Sequence, residues 1–182
     1  MTVIERETRE TSIRIELMRG TGQATVETGQ RFLNHMLVTL ARYAGVDLAV
    51  EARGDLKHHL IEDVGIALGD AVARFTPKTA ARYGHRTVPM DDALVEVTLD
   101  LGGRPWYRGP LPSDLYDHWM RSFADHADAT LHIRVLRGTD RHHIVEGAFK
   151  ALGFALREAW VETGTVFSTK GAVRMDGDAE RT

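Results

Sequence analysis

The stretch Gly138-Thr139-Asp140-Arg141-His142-His143-Ile144-Val145-Glu146, followed by Ala151-Leu152-Gly153 and Ala155, restates one the chain has already used. The earlier copy is Gly54-Asp55-Leu56-Lys57-His58-His59-Leu60-Ile61-Glu62, followed by Ala67-Leu68-Gly69 and Ala71. Both fit G-x3-H-H-x2-E-x4-A-L-G-x-A without a gap. Upstream, Asn34-His35-Met36 corresponds to Asp117-His118-Trp119, with one extra residue in the second copy. The same ordered set occurring twice reads as a duplicated unit of roughly 80–90 residues, too few copies for a solenoid. The units are residues 1–84 and 85–182, packed as a single compact domain.

Each copy follows the pattern strand-strand-helix-strand-helix. In the first, residues 12–18 alternate Ile13, Ile15 and Leu17 inward, and a second strand at 24–27 follows a glycine-containing turn. Apolar residues at helical spacing mark 32–43, and Gly45 fits a C-terminal stop. A strand at 46–52 and a helix at 58–75 complete the unit. In the second, strands at 93–101 and 105–108 precede a helix at 114–127, a strand at 130–136 and a closing region, 138–162, with its helix. The link 76–92 holds Pro77 and Pro89 and reads as loop with a short extended piece. The class is therefore α+β, with sheets and helices in separate layers.

The 182 residues are 43% hydrophobic and 27% charged, a globular composition. A net charge of −3 without a long like-charge block gives no reason to expect a nucleic-acid or anionic-membrane partner. No apolar run is long enough to span a bilayer and residues 1–10 are charged rather than signal-like, so a cytoplasmic location is expected. Cys is absent, which removes disulfides and thiolate chemistry, while His occurs nine times. Any metal must be held by imidazole and carboxylate.

Successive helical residues are rotated by about 100°, so adjacent histidines do not ordinarily chelate one ion together. Glu62 lies three residues after His59 and four after His58, and Glu146 stands in the same relation to His143 and His142. Either histidine of a pair could share an ion with its glutamate. With His35 and His118 the set is six His and two Glu, enough for two metal centres. Sulfur-free ligands of this kind suit Mn, Fe, Zn, Co or Ni, and carboxylate and water positions favour an octahedral ion such as Mn. His126 and His132 read as ordinary helix and strand residues, and His85 sits in the segment between the units.

The ordered blocks along the chain resemble imidazoleglycerol-phosphate dehydratases. They include Arg6-Glu7-Thr8-Arg9-Glu10-Thr11, Thr28-Gly29 with Phe32-Leu33-Asn34-His35-Met36-Leu37, and Gly54-Asp55 with His58-His59 and Glu62-Asp63. Arg82-Tyr83-Gly84, Pro89-Met90-Asp91-Asp92, Gly103-Arg104-Pro105 and Arg121-Ser122-Phe123 follow. His142-His143, Glu146, Phe149-Lys150-Ala151 and Ser168-Thr169-Lys170-Gly171 close the series. The resemblance implies a Mn-dependent hydro-lyase of histidine biosynthesis, with two Mn ions per active site and 24 subunits sharing sites at their interfaces. The implied reaction removes water from imidazole glycerol phosphate, by way of a metal-bound imidazolate, to give imidazole acetol phosphate. It assigns the acid/base role to Glu10 and phosphate binding to Arg82, Arg104, Lys150, Ser168 and Lys170.

Three departures stand out. Asn34 replaces the usual Asp before the first-helix His, the loop before His58-His59 is shortened, and Asp140 replaces an Asn. They keep open a diverged metal-dependent lyase or hydrolase acting on another small phosphate ester. A non-catalytic, metal-stabilised assembly protein is a further alternative.

Overall fold

The computed structural model describes residues 1–166. The first unit runs β1 (Thr2–Glu7), β2 (Thr11–Arg19), β3 (Ala24–Glu27), α1 (Arg31–Ala44), β4 (Val46–Gly54) and α2 (Lys57–Phe75). The second runs β5 (Tyr83–Met90), β6 (Ala93–Leu101), β7 (Trp106–Arg108), α3 (Asp114–His126), β8 (Ala129–Arg137) and α4 (Arg141–Ala159). Each forms one four-stranded sheet, in the orders β1-β2-β4-β3 and β5-β6-β8-β7. In both, the last-named pair is parallel and the others antiparallel. The repeat seen in the sequence is thus a repeat of topology, and the α+β class with layered sheets and helices holds.

Each unit opens with a strand that the five-element pattern lacks, the first overlapping the block 6–11 that resembles an opening strand motif and the second taking up the short extended piece expected in the link 76–92. β1 is polar in sequence, with Ile4 its only buried side chain. β5 carries Pro89, one of the two prolines that make its segment read as loop with only a short extended piece. Both are edge strands, where one side of the backbone needs no partner and proline is tolerated. Tertiary pairing with β2 and β6 makes strands of segments whose own patterning is weak.

The interior strands bury one face only. Ile13, Ile15 and Leu17 of β2, and Val95, Val97, Leu99 and Leu101 of β6, point into the core, while their alternate neighbours are more exposed. Helices cover those buried faces: α2 packs on β1 and β2, α4 on β5 and β6, α1 on β3 and β4, and α3 on β7 and β8. Between the sheets the helices pair across the units, α1 with α4 and α2 with α3.

The glycine of the A-L-G-x-A repeat makes those crossings possible. A Cβ on Gly153 would lie 2.8 Å from the Leu40 carbonyl oxygen and 2.9 Å from Tyr43 Cβ. One on Gly69 would lie 2.7 Å from the Phe123 carbonyl oxygen and 2.7 Å from His126 Cβ. Leu40 and Phe123, like Tyr43 and His126, are equivalent positions of the two units, so the two crossings are copies of each other.

All four helices start at one end of the molecule. Phe32, in the first turn of α1, meets Tyr116 of α3 edge-on at 5.1 Å and the His142 ring of α4 at 5.0 Å. At the other end Trp160, just past α4, packs against Phe75 of α2 at 4.9 Å and donates its indole N–H to Thr76 Oγ1 at 3.0 Å. α1 ends at Gly45 with φ 70°, as the sequence indicates. Among the described residues no helix is long and apolar enough to cross a membrane.

Gly153→Ala and Gly69→Ala should each force a crossing apart and destabilise the fold by about 1–3 kcal/mol, the usual cost of overpacking. Denaturant midpoints compared at matched protein concentration check this; an unchanged midpoint would show that the helices accommodate a methyl group.

Candidate metal centre

His35, His142 and Glu146 present ligand atoms that all lie within 4.8 Å of one another. His35 Nε2 is 3.2 Å from Glu146 Oε2, and His142 Nε2 is 3.1 Å from the same oxygen. The second carboxylate oxygen takes Lys150 Nζ at 2.9 Å. Glu146 is 6% exposed. Burial pushes its carboxyl upward, yet the hydrogen bonds and charges of Lys150 and His35 prevail and hold it below its ordinary value. It is therefore anionic at neutral pH. Two imidazole nitrogens and a carboxylate oxygen form a donor set that fits a divalent first-row ion.

The helices decide which residues meet. His142 and Glu146 are one turn apart on α4, and α1 brings His35 from the other unit across the Gly153 crossing. Of the two choices that spacing allows, His142 joins Glu146 and His143 turns away. The candidate ligand set is shared between the duplicated units.

His58, Glu62 and His118 occupy the equivalent positions at the α2–α3 crossing, and all three are exposed. Where α4 has Lys150, α2 has Ile66, so Glu62 lacks the cation that Glu146 has one turn on. Among the described residues no second group of three gathers as closely as the first.

The second histidine of each pair faces the hairpin of its own sheet. His59 Nδ1 lies 2.9 Å from Asp55 Oδ1 and 3.5 Å from Glu10 Oε2. His143 Nδ1 lies 2.7 Å from Asp92 Oδ1, and its Nε2 is 3.3 Å from Asp91 Oδ2. The hydrogen bond to Asp55 raises the His59 pKa, and the one to Asp92 raises that of His143. Asp92 is driven far below the carboxylate range, first by the Thr139 N–H at 2.7 Å and then by His143 and the Asp140 N–H. A carboxylate on Nδ1 fixes a ring's orientation and, for His59, directs Nε2 outward as a ligand would require. Asp55, Asp91 and Asp92 stand in the blocks that carry the resemblance but were given no role from sequence. Asp55 was findable, because it precedes His59 by four residues.

The departures acquire local roles. Asn34 Oδ1 accepts from Thr28 N at 3.2 Å and from Thr28 Oγ1, so it fastens the turn before α1 rather than touching an imidazole. Asp140 caps α4, accepting from the N–H groups of His142 and His143 at 2.7 and 3.4 Å. The shortened loop ties Asp55 N to the Glu10 carbonyl at 3.0 Å, which places the Asp55 carboxylate on His59.

The cations expected to bind phosphate are dispersed. Arg82 has φ +71° and pairs through Nε and Nη2 with Asp100, at 3.1 Å each. It borders a cavity of about 360 Å³ shared with Lys78 and Asp128. Its N–H bonds the Ala159 carbonyl at 2.9 Å, at the far end of α4 from His142. At 1.5 Å rise per helical residue that separation is about 25 Å. Arg104 is exposed on the loop between β6 and β7, where its carbonyl accepts from Thr130 Oγ1 at 2.9 Å. Lys150 lies in the metal cluster, and Ser168 and Lys170 lie outside the described residues. His126 pairs with Asp70 at 3.0 Å, His85 lies 3.8 Å from Glu96, and His132 is exposed on β8.

Fold and site together define a duplicated α+β protein whose histidines and carboxylates converge where helices of opposite units cross. Its residues 28–156 match the family described as Imidazoleglycerol-phosphate dehydratase. The imidazoleglycerol-phosphate dehydratase of Halorhodospira halophila is 46% identical over 191 residues, covering 93% of this chain and 96% of that protein. The structure of IGPD from Pyrococcus furiosus superposes with a TM-score of 0.85 at 39% identity, covering 93% of this chain and all of that one (100%). Imidazoleglycerol-phosphate dehydratase from Staphylococcus aureus gives 0.78 at 31% identity, over 90% and 100% of the two chains. The chain belongs to the imidazoleglycerol-phosphate dehydratase family, hydro-lyases of histidine biosynthesis.

His35→Ala and Glu146→Ala should each weaken Mn binding by about tenfold or more, whereas His126→Ala should leave it unchanged. Metal titration followed by elemental analysis of the desalted protein measures this; equal retention in all three variants would remove His35 and Glu146 from the ligand set.

Proposed function

We propose that the chain catalyses the Mn-dependent removal of water from imidazole glycerol phosphate, giving imidazole acetol phosphate, in the cytoplasm. The observation that carries this reading is the convergence of His35, His142 and Glu146 from opposite units in a chain of this family. The same reading places two Mn ions in each active site, with His58, His59, Glu62, His118 and His143 completing the ligands, and 24 subunits sharing sites at their contacts. The separation of about 25 Å between Arg82 and His142 supports shared sites. No substrate made of an imidazole ring, three carbons and a phosphate spans that distance. Arg82 and Arg104 of one subunit, with Ser168 and Lys170, would serve the phosphate of a substrate whose ring lies at a neighbour's histidines.

Bound at this centre, a divalent metal would supply Lewis acidity that favours loss of the imidazole proton. The remaining work belongs to the side chains. Lys150 and His35 keep Glu146 ionised as an acceptor. Asp55 orients His59, and Glu10 stands beside it on the hairpin between β1 and β2, 57% exposed. Its carboxylate can return a proton to the hydroxyl departing from the carbon next to the ring and take the one on the second carbon, leaving an enol that becomes the product ketone. The arginine–phosphate contacts hold the substrate in register for that transfer.

Mn-loaded protein should dehydrate imidazole glycerol phosphate and lose activity on chelation, followed by appearance of the product ketone. A fully metallated protein without turnover would overturn the reading. His59→Ala and His143→Ala should lower both metal content and particle mass by light scattering; unchanged mass and stoichiometry would count against sites at subunit contacts.

A further inference from the structure

The duplication gives an internal comparison at the two hairpin tips. Thr8-Arg9-Glu10-Thr11 joins β1 to β2, and Met90-Asp91-Asp92-Ala93 joins β5 to β6. Glu10 and Asp92 are equivalent, and each faces the second histidine of its unit.

The two carboxylates are held in opposite ways. Asp92 is itself the anchor: its side chain accepts from Thr139 N at 2.7 Å, Thr139 Oγ1 at 3.2 Å and Asp140 N at 3.2 Å, besides facing His143. A carboxylate so occupied cannot trade protons readily. At the first tip the backbone is anchored and the carboxylate is left open. Glu10 N donates to Thr8 Oγ1 at 3.1 Å, Thr11 N donates to the same oxygen at 2.9 Å, and Thr8 N donates to the Thr11 carbonyl at 2.9 Å. The Thr11 hydroxyl donates to Asp63 Oδ2, which leaves Thr8 Oγ1, 3.0 Å from Thr11 Oγ1, to donate to it. The other oxygen of Asp63 accepts from Arg6 Nη2 at 3.1 Å. A continuous relay thus runs from Asp63, 14% exposed on α2, through two hydroxyls to the amide of Glu10.

Every member of that relay is missing from the second unit. Arg6, Thr8, Thr11 and Asp63 correspond to Val88, Met90, Ala93 and Gly147. A Cβ on Gly147 would lie 3.2 Å from Val95 Cγ2, so apolar packing fills the place of the Asp63 carboxylate. The relay therefore accompanies the open carboxylate and not the locked one. The helix that carries it also carries His58, His59 and Glu62, so one rigid element sets both the ring and its neighbour.

We propose that Asp63, acting through Thr11 and Thr8 with Arg6 as its counter-ion, is a positioning residue that sets Glu10 opposite His59. This rests on the acid/base role given to Glu10 above. The test uses the assembled, Mn-loaded enzyme and the variants Thr11→Val, Thr11→Ser, Asp63→Asn and Glu10→Gln, with metal content and particle mass measured on the same samples. Thr11→Val and Asp63→Asn should lower kcat roughly 10- to 100-fold, with KM within about twofold and with metal and mass unchanged. Thr11→Ser, which keeps the hydroxyl, should restore kcat. In a Glu10→Gln background Thr11→Val should cost less than about twofold, because the group it positions is gone. Hydrogen exchange at the Glu10 amide, read without substrate, should quicken in Thr11→Val. Wild-type kcat in Thr11→Val, an undiminished loss in the Glu10→Gln background, unchanged amide protection, or loss of metal along with kcat would each overturn the proposal. A wild-type enzyme that is inactive with metal bound would instead remove the dehydratase reading, and the proposal with it.

Discussion

The site depends on how closely two pairs of helices cross. At Gly153 and Gly69 the missing side chain lets one helix rest on the backbone of another, within a layer lined by Ala67, Ala71, Ala151 and Ala155. That approach brings His35 to Glu146, a pair no single helix could make. It also buries a carboxylate, which costs several kcal/mol unless the charge is matched. Lys150 and the imidazoles provide the match, and a divalent ion would strengthen it. Packing and ligand geometry are thus one constraint: a helix pair standing further apart would lose both.

The direction of the helices adds an electrostatic condition. All four begin at the histidine end, so the positive ends of their macrodipoles point toward the cluster that could hold a cation. Glu146, Glu62, Asp55, Asp92, Asp140 and Glu10 all lie at that end, and carboxylates there offset the dipoles before any metal arrives. The acidic residues around the histidines therefore serve the helices as well as the site. Asp140 shows this directly, since it caps α4 and lies two residues before His142.

Much of this was legible in the sequence, for identifiable reasons. The gapless repeat announces duplication, and the alternation in residues 12–18 and 93–101 marks half-buried strands because one face meets helices. β1 and β5 were only faintly legible, one through a resembling block and the other as a short extended piece, since edge strands draw their structure from a neighbour and leave little pattern of their own. Spacing placed Glu146 within reach of both His142 and His143, but periodicity reports a helix face and not what stands opposite it. Only the crossing with α1, and the pull of Asp92 on His143, separates the two. Arg82 and Arg104 were indicated by resemblance alone; Arg82 proves to be paired with Asp100, at the end away from the histidines.

The division of ligands between the units has a consequence for the origin of the fold. Neither unit holds His35 together with Glu146, nor His118 together with Glu62; each half-centre lacks its opposite helix. A free-standing single unit would need a second copy of itself to bring either set of side chains together, and that encounter would weaken on dilution. Joining two units end to end turns that encounter into an intramolecular one, with an effective concentration on the order of millimolar. The tether then frees the copies to diverge. Lys150 can appear opposite Ile66, and a locked Asp92 opposite an open Glu10, because the two crossings no longer have to be identical for the molecule to close.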